Sequence, residues 1–141
     1  MRKVLLPADG SPSSLRAAEL AVRLLRGEAA AKVLLLNVQP PIMAWEISPH
    51  VTAEMVHQIH EKAGREALKG ARAVLDSAGV ACEEHLLVGE PAEVIARLAA
   101  GERVEGIVMG TRGLGPVKGL VLGSVANKVI HLAEVPVTLV K

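Results

Sequence analysis

The chain has 141 residues, with 16 Lys+Arg against 15 Asp+Glu for a formal charge of +1, and is 50% hydrophobic but only 1% aromatic. This length suits one domain over residues 1–141, and the even charge offers no field to draw nucleic acid or an acidic membrane surface; Trp45 alone provides no stacking platform for single strands. The single cysteine, Cys82, excludes an intrachain disulfide or a cysteine metal cluster and fits a reducing cytoplasm, and no apolar run is long enough for a signal-peptide core or a membrane span.

In chain order, Val4-Leu-Leu-Pro7 reads as a short buried strand, and Ser11-Pro12 as an N-cap with proline at the first helical position. Leu15, Ala18, Val22 and Leu25 share a face of the helix that follows, which Gly27 stops. Lys32 to Val38 is apolar almost throughout, as a parallel strand covered on both sides should be. Gln39 to His50 contains Pro40, Pro41 and Pro49 and is expected as a loop. A helix then opens near Thr52, with Met55, Ile59, Ala63, Leu68, Leu75 and Ala78 as its apolar stripe, and ends at Gly79. Gly64 and Gly70 inside it imply close packing, since glycine there costs about 1 kcal/mol against alanine. Ala81 to Val88, with Glu83, Glu84 and His85, predicts an edge strand. A short helix from Pro91 to Ala100, a strand from Glu105 to Met109, a helix from Ser124 to Ala133 and a strand from Val135 to Val140 complete the chain. Strands and helices alternating at this spacing predict an α/β fold: five parallel strands, doubly wound, with helices on both faces.

The most telling stretch is Gly110-Thr-Arg-Gly113, nine residues, then Gly123-Ser124, between a strand and a helix. Glycines let the backbone approach an anion and take up positive φ, and a helix start aims unpaired N–H groups at the same place. The spacing is not that of a Walker A loop, and the dinucleotide fingerprint belongs after the first strand, where Asp9-Gly10-Ser11 stands instead. Residues 110–141 carry Arg112, Lys118, Lys128 and Lys141 against Glu134, so a local positive excess accompanies the motif, although ordinary surface variation explains it equally well. Hydrolytic machinery is not evident: no serine-histidine-acid motif and no paired carboxylates stand near the glycines. His57 and His60 are three apart but have no acidic or cysteine partner at a ligand spacing, and are expected as exposed helix histidines rather than a metal site.

Gly110, Gly113, Gly123 and Ser124 resemble, position for position, the signature of the nucleotide-binding branch of the universal stress protein family. The likeness extends over nearly the whole chain, including Val4 to Ser11, Val33 to Val38, Val88-Gly-Glu-Pro91 and Val135 to Val140. It implies a Rossmann-like sheet of the adenine nucleotide alpha hydrolase type in the order 3-2-1-4-5, with the order reversing between strands one and four. It also implies a nucleotide site made of Pro7, Ala8 and Asp9, of Val38 against the adenine edge, and of Met109, Gly110, Arg112, Gly113, Gly123, Ser124 and Val125. Asp9 could serve a ribose hydroxyl or a magnesium ion carried by the phosphates, or simply bond its own turn. Arg112 could reach phosphate oxygens or remain solvated, Lys118 belongs to the surface, and Asn127 could face the phosphates or cap the loop. The expected ligand is ATP, ADP or AMP with Mg2+, the expected activity is binding with at most weak ATPase turnover, and the expected assembly is a homodimer paired antiparallel through Val135 to Val140. The rival is an ATP-pyrophosphatase-like or kinase-like enzyme on a related sheet. Adenylating enzymes of that kind resemble Ser-Gly-Gly-x-Asp-Ser after strand one, which Ala8-Asp9-Gly10-Ser11 lacks. A receiver domain would need an acidic pair there and is discounted.

Overall fold

In the computed structural model, which describes residues 2–43, 49–113 and 122–141, five parallel strands form one sheet in the order β3-β2-β1-β4-β5. The elements are β1 (Lys3–Pro7), α1 (Pro12–Leu24), β2 (Lys32–Gln39), α2 (Ala53–Ser77), β3 (Ala81–Val88), α3 (Pro91–Gly101), β4 (Gly106–Gly110), α4 (Ser124–Leu132) and β5 (Val137–Val140). The α/β expectation and the strand order implied by the family resemblance both hold. Element ends differ from the sequence reading by a residue or two, with β5 starting at Val137 rather than Val135.

The apolar runs in β1 and β2 work because successive side chains serve opposite faces. Val4, Leu6, Val33 and Leu35 pack beneath α1 and α2, whereas Leu5, Leu34 and Leu36 pack beneath α3 and α4. Fully buried leucines such as Leu34 and Leu35 contribute about 1.5–3 kcal/mol each by leaving water. β3 is an edge, as its charged residues predict.

The apolar stripe expected on α2 is corrected. Its buried face is His60, Gly64, Leu68, Ala71 and Leu75, and Met55 and Ile59 are exposed. The two glycines explain the choice of face. A Cβ on Gly64 would lie 2.9 Å from Leu86 Cδ2, and one on Gly70 would lie 2.6 Å from Leu15 Cδ2, so α2 approaches β3 and α1 where these side chains are missing. α1 is rotated in a similar sense: Ser13, Ser14, Ala17, Ala18 and Ala21 are buried, while Leu15 and Val22 lie at its margin.

β1 pairs with both β2 and β4, so the chain moves outward through β2 and β3 and then returns across β1 to reach β4. The carboxyl ends of β1 and β4 flank this reversal, where two connections leave in opposite directions and open a crevice. No described helix is long and apolar enough to cross a membrane.

Candidate functional site

The crevice begins with the way β1 ends. Ala8 donates to Leu36 O at 2.9 Å, and Asn37 Nδ2 donates to Ala8 O at 2.8 Å, so both peptide groups after Pro7 are held by β2. The chain then turns through Gly10 at φ +86°, and Asp9 Oδ1 accepts the Ser11 N–H at 2.9 Å. Asp9 thus makes the turn expected of it and keeps its second oxygen, Oδ2, beside Gly113. Ser11 caps α1 by accepting from Ser14 N at 3.3 Å. Ser13 Oγ donates to Arg112 O at 2.6 Å, which ties the first turn of α1 to the segment after β4.

That segment is fixed at both ends. Thr111 N donates to Val140 O at 2.8 Å and Thr111 O accepts from Gly123 N, so the excursion from Arg112 to Leu122 starts and finishes at one point. Lys118 lies outside the described residues. Gly123 is the N-cap of α4 without a side-chain cap bond. Ser124 occupies the first helical position with its hydroxyl exposed and does not cap the helix. The N–H groups of Gly113, Ser124 and Val125 have no acceptor among the described residues.

The motif glycines are needed for closeness, not for the positive φ expected of them. Gly113 and Gly123 are absent from the left-handed region, Gly123 having φ −73°. A Cβ on Gly110 would lie 2.9 Å from Ser13 Cβ and 3.0 Å from Ser13 C, one on Gly113 2.9 Å from Asp9 Oδ2, and one on Gly123 3.1 Å from Thr111 O. Each glycine admits another piece of the site rather than a strained turn.

The resulting cavity measures about 400 Å³ and is lined by every residue predicted for the site: Pro7, Ala8, Asp9, Val38, Met109, Gly110, Arg112, Gly113, Gly123, Ser124 and Val125. The sequence reading missed Ser11, Ser14, Leu36, Asn37, Pro91, Ile95, Thr111 and Ala126 as site residues, and these also line it. Thr111 carried a signal through its place inside Gly110-Thr-Arg-Gly113, and Ser11, Leu36, Asn37 and Pro91 through the segments that carry the family resemblance. Asn127 is exposed and does not line the cavity. Its apolar part, with Val38, Ile95 and Met109, lies on the face covered by α3 and α4.

The local positive excess is smaller than the sequence suggests, because Lys128 Nζ lies 3.5 Å from Glu90 Oε1. Glu90 also caps α3 by accepting from Glu93 N at 2.8 Å and Ala92 N at 3.4 Å. These backbone bonds, that from Glu93 first, hold its carboxyl below the usual glutamate range. A nucleotide-borne Mg2+ fits the donor set: this ion keeps several waters and takes one or two carboxylates plus phosphate oxygens. Asp9 Oδ2 can supply that carboxylate, and no group of three or more potential ligands occurs among the described residues.

The expectation of two exposed histidines is half wrong. His57 is exposed beside Glu61, 3.6 Å away, an acidic partner the spacing argument overlooked. His60 is buried, with Nε2 donating to Pro40 O at 3.1 Å. Its burial follows from α2 presenting the His60–Gly64 face to the sheet.

A sequence model described as the universal stress protein family matches residues 1–141. A universal stress protein of Thermus aquaticus is 39% identical over 142 residues, covering 99% of this chain and 98% of that protein. Another, from Methanocaldococcus jannaschii, is 34% identical over 146 residues, 99% of this chain and 82% of its own length. Among solved structures, a universal stress protein in complex with cAMP has a TM-score of 0.73 at 27% identity, covering 99% of this chain and 97% of that one. A family protein of Arabidopsis thaliana with AMP bound has a TM-score of 0.72 at 25% identity, covering 100% and 92%. The Archaeoglobus fulgidus protein in complex with dAMP has a TM-score of 0.69 at 26% identity, covering 100% and 98%. Sequence and fold agree along the whole length, and the chain belongs to the universal stress protein family.

Proposed function

We propose that the chain binds an adenine nucleotide, ATP, ADP or AMP, in the crevice between β1 and β4 and acts as a nucleotide-responsive regulatory module in the cytoplasm, with slow or no hydrolysis. One observation carries the reading: the N–H groups of Gly113, Ser124 and Val125, which have no acceptor among the described residues, border the same cavity as the apolar side chains of Val38, Ile95 and Met109. Backbone donors at a helix start suit phosphate, and an apolar slot suits the flat face of a base. The volume of about 400 Å³ lies within the range of small-molecule sites. Relatives bound to cAMP, AMP and dAMP support adenine as that base.

Asp9 Oδ2, beside Gly113, can accept from a ribose hydroxyl or help hold the nucleotide's Mg2+. Phosphoryl transfer to water needs a group that positions the nucleophile. Asp9 has its Oδ1 engaged by Ser11 N–H, which favours binding over turnover. Titration calorimetry with Mg-ATP, ADP and AMP is expected to give saturable heat, and silence at millimolar ligand removes the proposal. Turnover near the enzyme median of about 10 per second would instead favour the kinase-like or pyrophosphatase-like reading.

The same reading includes a homodimer. β5 is the outer strand, Val137 to Val140 are half-buried, and Ile130 and Leu132 on neighbouring α4 are each 43% exposed. Antiparallel pairing of two β5 strands would complete the ladder and cover apolar surface. Light scattering should find two copies in the intact protein and one in Thr138→Pro, which removes a ladder donor. A monomeric parent, or a variant that stays dimeric, defeats the pairing.

A further inference from the structure

We propose that Asn37 is a positioning residue: its side-chain amide takes the acceptor that would otherwise pair with Val38 N–H, and so keeps the Val38 backbone free for the edge of the bound base. This rests on the nucleotide reading above. Ala8 N donates to Leu36 O at 2.9 Å, one step beyond the last paired residues of β1 and β2, Pro7 and Leu36. Backbone groups alternate between the two sides of a strand, so the next rung of this parallel ladder would be Val38 N–H to Ala8 O. It is not formed. Ala8 O accepts Asn37 Nδ2 at 2.8 Å, and neither Val38 N–H nor Val38 O has a partner among the described residues.

The same alternation shows which way those groups face. Gln39 O accepts Gly89 N at 3.0 Å on the β3 side, so Val38, one residue earlier, directs its N–H and carbonyl to the other side, past the end of β1, where it lines the cavity. Asn37 is 4% exposed, and its amide is fixed in one orientation. Ala8 O can only accept, which sets Nδ2 toward it, and Oδ1 accepts Gln39 Nε2 at 2.6 Å. α2 comes up against the same oxygen where Gly64 has no side chain, a Cβ there lying 3.4 Å from Asn37 Oδ1. The N–H and carbonyl of one residue are a donor and an acceptor side by side. Adenine offers their complement, a ring nitrogen next to an amino group. Hypoxanthine has a carbonyl oxygen in place of that amino group, which would set an acceptor against Val38 O. Asn37 therefore acts on the choice of base through Val38.

Amide hydrogen exchange read by NMR and a comparison of AMP with IMP test this together. In the ligand-free parent the Val38 amide should exchange freely while that of Leu36 is protected, and AMP should protect Val38. Asn37→Leu is close in size and removes the donor, so Val38 N–H should pair with Ala8 O. Its amide should then be protected without ligand, AMP should bind about tenfold more weakly, and the preference for AMP over IMP should shrink by a similar factor. A mere loosening of the crevice would weaken AMP and IMP alike and leave the Val38 amide exchanging freely, and that pattern overturns the proposal. Unchanged AMP affinity in Asn37→Leu overturns it too. So does a Val38 amide already protected in the ligand-free parent, a measurement that stands even if Asn37→Leu does not fold. If the parent binds neither AMP nor IMP, the nucleotide reading fails and takes this proposal with it; if the parent binds AMP and any of the contrary results is found, this proposal alone fails.

Discussion

Gly110→Ala sets two effects of opposite sign against each other. Replacing a glycine inside a strand ordinarily stabilises a protein by about 0.5–1 kcal/mol, because the unfolded chain loses freedom. Here the new methyl would sit 2.9 Å from Ser13 Cβ and 3.0 Å from Ser13 C, and closer still to Ser13 Oγ. Overpacking of this kind costs about 1–3 kcal/mol. Displacing Ser13 also breaks its 2.6 Å bond to Arg112 O, worth about 0.5–1.5 kcal/mol. Steric cost wins, and the net loss should be about 1–3 kcal/mol, within reach of urea denaturation for a domain stable by roughly 5–15 kcal/mol. Ser13→Gly alone should lose about 1–2 kcal/mol through the same hydrogen bond and a poorer helix start. The double variant has neither Ser13 Cβ nor Oγ for the methyl to meet, so it should be more stable than the sum of the singles predicts, by about 1–2 kcal/mol. Additivity within about 0.5 kcal/mol would refute the argument that Gly110 is there to admit Ser13.

Three further outcomes follow from neighbouring features. Gly113→Ala places a methyl 2.9 Å from Asp9 Oδ2, the free end of a movable side chain; stability should change by less than about 1 kcal/mol while Mg-ATP affinity falls, and an unchanged dissociation constant would separate Asp9 and Gly113 from binding. Glu90 has its folded pKa lowered by the N–H groups it caps, so its stabilisation is complete above the ordinary glutamate value and disappears as pH falls through the native one. Glu90→Gln should therefore flatten the acid side of a stability-against-pH curve, and an unaltered slope there would show that the cap contributes nothing to it. Burial raises the Cys82 thiol, with Arg72 opposing more weakly; its alkylation by iodoacetamide at pH 8 should be slower than that of a free thiol, and a faster rate would contradict the balance of those two influences.

The architecture was legible because apolar runs, proline, glycine and capping residues act locally, and the site could be located because its glycines are close in sequence to a strand end and a helix start. The reasons for those glycines were not legible. Gly110 answers to Ser13 and Gly113 to Asp9, residues about a hundred positions away, and no local pattern distinguishes room for a distant neighbour from a need for positive φ. α2 presents the same difficulty. Met55 and Ile59 fit an apolar stripe, yet the face that turns inward is selected by Leu15 and Leu86 meeting Gly70 and Gly64, and His60 goes inward with them because the Pro40 carbonyl is there to receive it. The pairing of Lys128, in the middle of α4, with Glu90, the N-cap of α3, likewise joins two residues that only the tertiary fold brings together.

The two borders of the sheet are unlike. Along β3, Glu83 is joined to Lys32 and His85, and Glu84 to Arg72, so an incoming strand would meet charges already committed to partners within the chain. β5 carries only Val137, Thr138, Leu139 and Val140. A sheet guarded on one side and open on the other can be extended once. If two open borders join, each closes the other and only guarded borders remain outside, so growth stops at a pair and the route to an endless ribbon is shut by Glu83, Glu84 and their cations.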